Sequence, residues 1–244
     1  ITFRYAENFA RGLGLVWNGG GRIEGDTNFL WALRMGGGIG IGLEPVAFSQ
    51  VLGLGCFVGS LLVLFALSRR LLGSRIIALL TVLLLGTNYT FSAYATGGLE
   101  TQLQTMLCLL VAAASAESLV RGTCPTRRAI LISLLAAAAV LTRLDSVLLC
   151  GIPLLGLLLD AWRGERRAAT VASLLLPAGV ILGAWFAWKL SYYGDILPNT
   201  FYVKASAITS VERGFNYLYQ FYGSYILWPF LAAAVFAGNL LFRR

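Results

Sequence analysis

The chain has 244 residues, a formal net charge of +8 and no histidine. Hydrophobic residues make up 58% of it, charged residues only 12%, and the mean hydropathy is +0.76. A soluble domain carries about 25% charged residues to solvate its surface, so this composition excludes one and predicts an integral membrane protein. The lack of histidine excludes haem ligation, histidine–zinc sites and histidine acid–base catalysis.

Apolar runs that can cross a bilayer recur along the chain. About 20 apolar residues are needed to span hydrocarbon as a helix. The predicted spans, in chain order, are 47–68, 76–95, 103–120, 129–142, 146–161, 168–190 and 224–242. The fourth and fifth are short, and the link TRLDS (142–146) between them also fits a shallow helical hairpin. The sequence therefore predicts an all-α polytopic membrane protein with about seven transmembrane helices.

Charge separates the connecting segments into two sets. One set holds eleven basic and three acidic residues: 68–75, 121–128, 162–167 and 243–244, with Glu117 and Asp160 at span ends. The other set holds eight residues of each sign: 1–46, 96–102, 142–146 and 189–223. Cytoplasmic loops are enriched in Lys and Arg, so the first set is predicted to be cytoplasmic. These arginines are topological signals, and no nucleic-acid partner is expected.

The first extracytoplasmic loop, residues 1–46, is long enough to fold. One stripe of its predicted first helix is apolar and consists of Phe3, Tyr5, Ala6, Phe9 and Ala10. Such a helix lies in the membrane interface, and Gly12 suits its C-terminal end. A second short helix is predicted from Thr27 or Asn28, either of which can cap it. Because the chain opens at Ile1 inside an amphipathic segment, we expect it to be a piece of a longer protein.

The transmembrane helical domain is predicted to occupy 47–242, with a second extracytoplasmic loop at 191–223. This loop is rich in aromatic residues, which fit either an interfacial belt or a groove that binds sugar or lipid. Three of the four cysteines, Cys56, Cys108 and Cys150, lie inside apolar spans. They are predicted to be small buried hydrophobic residues, without a disulfide or a ligand pair.

Four groups of polar residues lie beside predicted spans, all on the extracytoplasmic side. They are RIEGDTN (22–28), TGGLETQ (96–102), TRLD (142–145) and YYGDILPNTFYVK (192–204). Each has an ordinary alternative: a solvated turn, a favourable helix start at Glu100, an ion pair between Arg143 and Asp145, or a generic turn. Charged groups near spans are costly and are usually paired or functional. Four such groups on one face and none on the other therefore favour a functional site.

These motifs, with the opening ITFRYAENFARGLGLVWN, resemble polytopic glycosyltransferases of the GT-C superfamily. The resemblance extends from residue 1 to about 205 and is greatest to the branch that contains the mycobacterial terminal β-arabinofuranosyltransferase. It implies a transferase of the bacterial inner membrane that works on the periplasmic, extracytoplasmic face. Such enzymes pass a sugar from a polyprenyl-phosphate donor to a glycan or glycolipid acceptor. Their catalytic acidic pair is expected just before Ile1, so no catalytic residue is assigned within this chain.

The resemblance also implies substrate-binding residues. Phosphate contacts are expected from Arg4, Arg143 and Lys204, because cations stabilise a departing phosphate. Contacts to sugar hydroxyls or support of such contacts are expected from Glu24, Glu100, Asp145, Asp195, Asn199 and Tyr5. Asp26, Asn28 and Tyr192 complete the expected site. The scheme requires neither a metal nor a cofactor.

Two other functions stay open at this stage. A lipid-linked-sugar transporter or flippase tends to carry ionisable residues near the bilayer centre, often in an internal repeat. Here the charges lie at the outer boundary and no repeat is evident, which favours the enzyme. A catalytically inactive scaffold of the same fold is the third reading, and the sequence before Ile1 would distinguish it.

Overall fold

The computed structural model describes residues 1–163, 167–200, 202 and 211–224. These residues form ten helices, and no strand occurs among them. The chain divides into two compact units, Ile1–Pro198 and Asn199–Arg244. The all-α class predicted from the sequence is therefore confirmed for the described part of the chain.

Two short helices open the first unit and pack against each other: α1 is Thr2–Ala10 and α2 is Phe29–Gly40. Tyr5 and Ala6 of α1 are buried, as the apolar stripe predicts. Asn8 is also buried, and its burial is tolerated because its Nδ2 donates to the carbonyls of Val16 and Trp17 at 2.7 and 2.9 Å. The contact between the helices is close: a Cβ on Gly36 would lie 3.2 Å from the Ala6 carbonyl oxygen.

Among the described residues, three helical segments are long and apolar enough to cross a membrane: Pro45–Leu72, Thr101–Arg121 and Ala168–Tyr193. They belong to α3 (Pro45–Leu72), α6 (Thr101–Arg121) and α9 (Arg167–Tyr193). The start of α3 is well capped, since the Glu44 carboxylate accepts from the amides of Val46 and Ala47. Pro45 has no backbone N–H and so leaves no donor unpaired there. Gly73 ends α3 in the left-handed conformation with φ +68°.

The prediction of seven spans is not confirmed. Segment 76–95 is broken into α4 (Arg75–Gly86) and α5 (Tyr89–Ala93), because the Asn88 side chain caps α5 by accepting from the Phe91 amide. The fourth and fifth predicted spans, 129–142 and 146–161, form α7 (Thr126–Thr142) and α8 (Ser146–Arg163), at the lower end of spanning length. The last predicted span, 224–242, lies outside the described residues except for Ser224.

Many large apolar side chains point outward from these helices, and many of the side chains that point inward are small or polar. Exposed examples are Val51, Leu54, Leu62, Leu83, Leu84, Leu148, Ile152, Leu176 and Val180. The buried set includes Ala129, Ala136, Ala139, Ser49, Ser60, Ser115, Ser133 and Gln104. Small residues between helices and leucines outside are typical of helices that pack in lipid.

One interhelical hydrogen bond follows from a proline. Pro177 lies inside α9, where it removes a backbone donor and disturbs the helical ladder. The neighbouring Ala178 amide donates to Ser133 Oγ of α7 at 2.9 Å. A neighbouring hydroxyl thus pairs with a backbone amide beside the proline in an apolar setting.

The helices of the first unit alternate in direction between two ends that differ in charge. At the basic end, Arg70 of α3 pairs with Glu117 of α6 at 3.1 Å. At the polar end, the starts of α6 and α8 and the end of α7 meet the segment before α2. The second unit contains α10 (Val211–Ser224), an amphipathic helix with exposed Phe215 and Tyr217.

Candidate functional site

A continuous set of hydrogen-bonded side chains lies at the polar end of the first unit. It is drawn from four segments and consists of Thr2, Asp26, Asn28, Glu100, Gln104, Arg143, Asp145 and Ser146. We call it the Glu100 network. It brings together three of the four polar motifs predicted from the sequence.

Glu100 is the centre of this network and is 8% exposed. Its Oε1 accepts from Arg143 Nη1 at 3.1 Å, and its Oε2 accepts from Asn28 Nδ2 at 2.8 Å. It stands at the N-cap position of α6, yet its side chain makes no capping hydrogen bond. The carboxylate makes no capping hydrogen bond and instead joins three segments, although its position at the start of α6 still suits an anion.

Arg143 is ion-paired on two sides. Besides Glu100, its Nη2 and Nε donate to Asp145 at 3.0 and 3.3 Å. Gln104 Nε2 then donates to Asp145 Oδ1 at 2.7 Å and to Ser146 Oγ at 3.0 Å. The side chains of Arg143 and Asp145 remain 40% and 52% exposed. The predicted local ion pair exists, but it is one part of a larger network that stays open to an incoming molecule.

Asp26 is the most strongly perturbed carboxyl of this network. Its Oδ1 accepts from the Thr2 hydroxyl at 3.3 Å, while its buried Oδ2 has no hydrogen-bond partner. Burial is the main cause that raises the pKa of Asp26 from 3.8 to about 6, and the nearby Glu100 charge adds to it. Such a group can hold or release a proton near neutral pH.

A buried ion pair anchors the same loop to α9. Lys189 Nζ lies 2.9 Å from Glu24 Oε2, and the two side chains are only 2% and 11% exposed. Lys189 Nζ also donates to the Ile196 carbonyl at 2.9 Å. Burial raises the pKa of Glu24, and the hydrogen bond and charge of Lys189 oppose the rise. Lys189 thus joins the first loop, α9 and the turn that follows α9.

Tyrosines complete this anchor. Tyr5 Oη donates to the Ile23 carbonyl at 2.7 Å and accepts from the Gly25 amide at 2.8 Å. Tyr193 Oη donates to the Leu15 carbonyl at 2.8 Å. The Arg22 guanidinium carbon lies 4.5 Å from the centre of the Tyr192 ring, which stacks on Trp188. The aromatic residues at the end of α9 therefore hold the first loop in place.

The remaining predicted residues lie apart from these contacts. Arg4 is half-exposed, donates to the Trp17 carbonyl at 3.3 Å and has a long ion pair of 3.9 Å to Glu7. Asp195 is exposed, near enough to Glu24 to raise the pKa of that carboxyl. Asn199 is exposed and belongs to the second unit. Lys204 lies outside the described residues.

Sequence reasoning missed Thr2, Gln104, Ser146 and, above all, Lys189. A lone lysine in the apolar run AWFAWKLSYY was a usable signal, because a cation at a span end needs a partner. All four cysteines are free, as predicted, but the sequence did not show that two of them lie in contact. Cys108 and Cys150 sulfurs lie 3.7 Å apart, since Cys108 follows Gln104 by one turn and faces the same helix, α8.

Two open cavities of about 430 and 530 Å³ lie at the basic end, the first beside Gly122–Pro125 and the second between α3 and α6. Over the described ranges, no group of three His, Cys, Asp or Glu side chains could hold a metal ion. The candidate site is therefore a polar surface bounded by charged side chains.

Residues 45–204, more than half of the chain, match the model of the Alg9-like mannosyltransferase family. The chain belongs to this family. It is also 30% identical, over 99% of its length, to the terminal β-(1→2)-arabinofuranosyltransferase of Mycobacterium tuberculosis strain H37Rv. It spans 40% of that relative's length. No solved structure matches the chain.

The Alg9-like family match confirms the resemblance to GT-C glycosyltransferases. With the apolar helices α3, α6 and α9, it also establishes an integral membrane protein. The matched range contains Glu100, Arg143, Asp145 and Lys189, whereas Thr2, Glu24, Asp26 and Asn28 precede it. The family and the relative are named for different sugars, mannose and arabinofuranose, so the sugar is not decided by these names.

Proposed function

We propose that the chain is part of a membrane glycosyltransferase that moves a sugar from a polyprenyl-phosphate donor to an acceptor in the cell envelope. The acceptor is a glycan or a glycolipid, and the reaction takes place at the polar end, on the periplasmic face of the bacterial inner membrane. The observation that carries this proposal is the Glu100 network, which places ionisable groups from three segments at one end of an apolar bundle. Charged side chains beside the hydrocarbon are energetically costly, and those that occur there are usually paired or functional.

The charges of the network favour recognition of sugar hydroxyls over recognition of phosphate. Glu100, Arg143 and Asp145 together carry a net charge of −1, which repels a phosphate and attracts hydroxyl donors. Asp145 is the most exposed of the three carboxyls in the network. We assign it a contact to a sugar hydroxyl, with Arg143 and Gln104 holding it in position.

Phosphate contact is assigned to Arg4 and Lys204, and no longer to Arg143, whose guanidinium is already paired with two carboxylates. Arg4 is half-exposed and its carboxylate partner is distant, so its guanidinium is available to a second anion. Arginine suits this role because its planar fork can bind a phosphate through two donors. Lys204 keeps the same proposed role. The polyprenyl tail would stay in hydrocarbon beside the outward-facing leucines.

A transfer assay with the full-length protein tests this function. Reconstituted protein is supplied with polyprenyl-phosphate arabinofuranose or polyprenyl-phosphate mannose and a cell-envelope glycan. We expect transfer from one of the two donors, and Asp145→Asn to lower the rate roughly 10- to 100-fold, as loss of a hydrogen bond to a charged group does.

Asp160→Asn is the matched control, because Asp160 is an exposed aspartate on α8, the helix that follows Asp145, but lies toward the basic end. Its transfer rate should equal that of the wild type. No transfer from either donor would refute the proposed function. Equal rates for both variants would refute only the role of Asp145.

A further inference from the structure

A groove runs between α3 and α6 at the basic end, away from the Glu100 network. Its volume is about 530 Å³, within the range of small-molecule sites. Its wall is apolar and its rim is charged. The wall is formed by Val63, Ala66, Leu67, Leu71, Leu110, Ala113, Ala114 and Val120, and the rim by Arg70, Glu117 and Arg121.

The rim carries a net positive charge. Glu117 is paired with Arg70 at 3.1 Å and with Arg121 at 2.6 Å, so two guanidinium groups share one carboxylate. The arginine side chains are still 64% and 58% exposed, while that of Glu117 is 20% exposed. Each guanidinium has five N–H donors and uses only one of its terminal nitrogens on Glu117. Donors therefore remain for a further anion.

The depth of the rim corresponds to the lipid headgroups. Arg121 follows Thr101 by 20 residues of α6, a rise of about 30 Å. A bilayer's hydrocarbon core is also about 30 Å thick, so the guanidinium groups lie at its boundary while the groove extends into it. A free phosphate would not use the apolar wall, and a neutral lipid would not use the arginines.

We propose that this groove binds an anionic diacyl phospholipid, with an acyl chain between α3 and α6 and the phosphate on Arg70 and Arg121. Basic pockets between transmembrane helices are suited to such headgroups. The role of Glu117 is then to hold both arginines together at a net charge of +1. This assignment is independent of the transfer reaction, because the groove and the Glu100 network lie at opposite ends of α6.

Native mass spectrometry of the full-length protein in mild detergent, with added phosphatidylglycerol or phosphatidylcholine, tests the site. We expect the wild type to retain phosphatidylglycerol preferentially. Arg70→Gln/Arg121→Gln should lower that retention at least fivefold. Arg127→Gln/Arg128→Gln removes the same charge from the same end outside the groove, and should leave retention unchanged.

Glu117→Gln separates a lipid site from a purely structural ion pair. It raises the rim charge from +1 to +2, so phosphatidylglycerol retention should increase at least threefold and fall with added salt. A structural ion pair would lose thermal stability in this variant without any gain in lipid. Equal losses in the two double-arginine variants, equal retention of both lipids, or no retained lipid would each overturn the proposal.

Discussion

Glu24 and Asp26 are two residues apart, on either side of Gly25, yet they meet different surroundings. Glu24 faces a cation, Lys189, whereas Asp26 faces a hydroxyl and lies near another carboxylate. Substitution of each residue therefore tests a different electrostatic effect. Glu24 is a buried carboxylate with a cationic partner, and Asp26 is a buried carboxylate without one.

Asp26→Asn should stabilise the protein at neutral pH. The folded-state pKa of about 6 lies above the ordinary 3.8. The folded protein therefore binds the proton more tightly, and stability falls as pH rises from about 4 to about 6. Removing the charge should recover about 3 kcal/mol at pH 7.5, but only about 1 kcal/mol at pH 4.5, where the folded-state carboxyl is still protonated. Thermal unfolding in detergent at both pH values measures this.

The partly exposed Glu7 supplies the control for that experiment. Glu7→Gln should change the melting temperature by a similar small amount at both pH values. A lower melting temperature of Asp26→Asn at pH 7.5 than that of the wild type would show that the Asp26 charge is stabilising, contrary to the expectation.

Lys189→Met should destabilise the protein strongly, by about 3–5 kcal/mol, because it leaves Glu24 buried without its cation. The double variant Lys189→Met/Glu24→Gln should recover most of that loss, since no unpaired charge remains. The measurement is a double-mutant cycle of thermal unfolding. Additive losses in the two single variants would show that the pair is not coupled.

At the scale of the element, α6 organises the polar end by its helical periodicity. Glu100, Gln104 and Cys108 are four residues apart and lie on one face, one turn above another. Glu100 and Gln104 contact the turn after α7 and the start of α8, and Cys108 contacts Cys150 of α8. One face of α6 thus positions three contacts in succession.

Oxidation should cross-link α6 to α8 through Cys108 and Cys150. Their sulfurs are 3.7 Å apart, and a modest shift brings them to the bonding distance of about 2.05 Å. In a Cys56→Ser/Cys124→Ser background, oxidation by copper phenanthroline should remove both sites for a polyethylene-glycol maleimide after denaturation. Cys108→Ser should leave Cys150 reactive. Two reactive thiols after oxidation would contradict this packing of α6 on α8.

At the scale of the whole molecule, the alternation of helices and the charge difference between the ends predict an orientation. The basic end should face the cytoplasm, because lysine and arginine are retained there. The loop before α2 would then be extracytoplasmic, together with the Glu100 network. Seven spans remain the prediction for the chain, with α4–α5, α7 and α8 as shorter members.

Cysteine labelling in intact cells tests that orientation. Gly20→Cys and Thr123→Cys are exposed loop positions between α1 and α2 and between α6 and α7. In a cysteine-free full-length protein, a membrane-impermeant maleimide should label Gly20→Cys only. After the cells are broken, both should react. Labelling of both in intact cells would contradict the topology.

The sequence by itself determined the class of protein, the helices and the location of the polar motifs. Hydrophobic run length and the separation of charge are local properties, so they can be recognised without knowing any contact. The family resemblance also rested on short motifs, and the family match confirms it. The same local reasoning predicted spans at 76–95, 129–142 and 146–161, where the structure has helices shorter than the roughly 20 residues of a full span. The first is short because the capping by Asn88 interrupts the helix.

Only the tertiary structure decided which polar groups are partners. Asn28 and Glu100 are 72 positions apart, and Tyr193 and Leu15 are 178 apart. The sequence shows that Lys189 needs a partner, but not which residue supplies it. Gln104 and the cysteine pair have ordinary sequence surroundings, so periodicity carries no information about their partners. Burial of a charge or an amide between helices is costly unless a partner is present, and that partner is set by how the helices pack. The site is therefore a property of packing at the polar end.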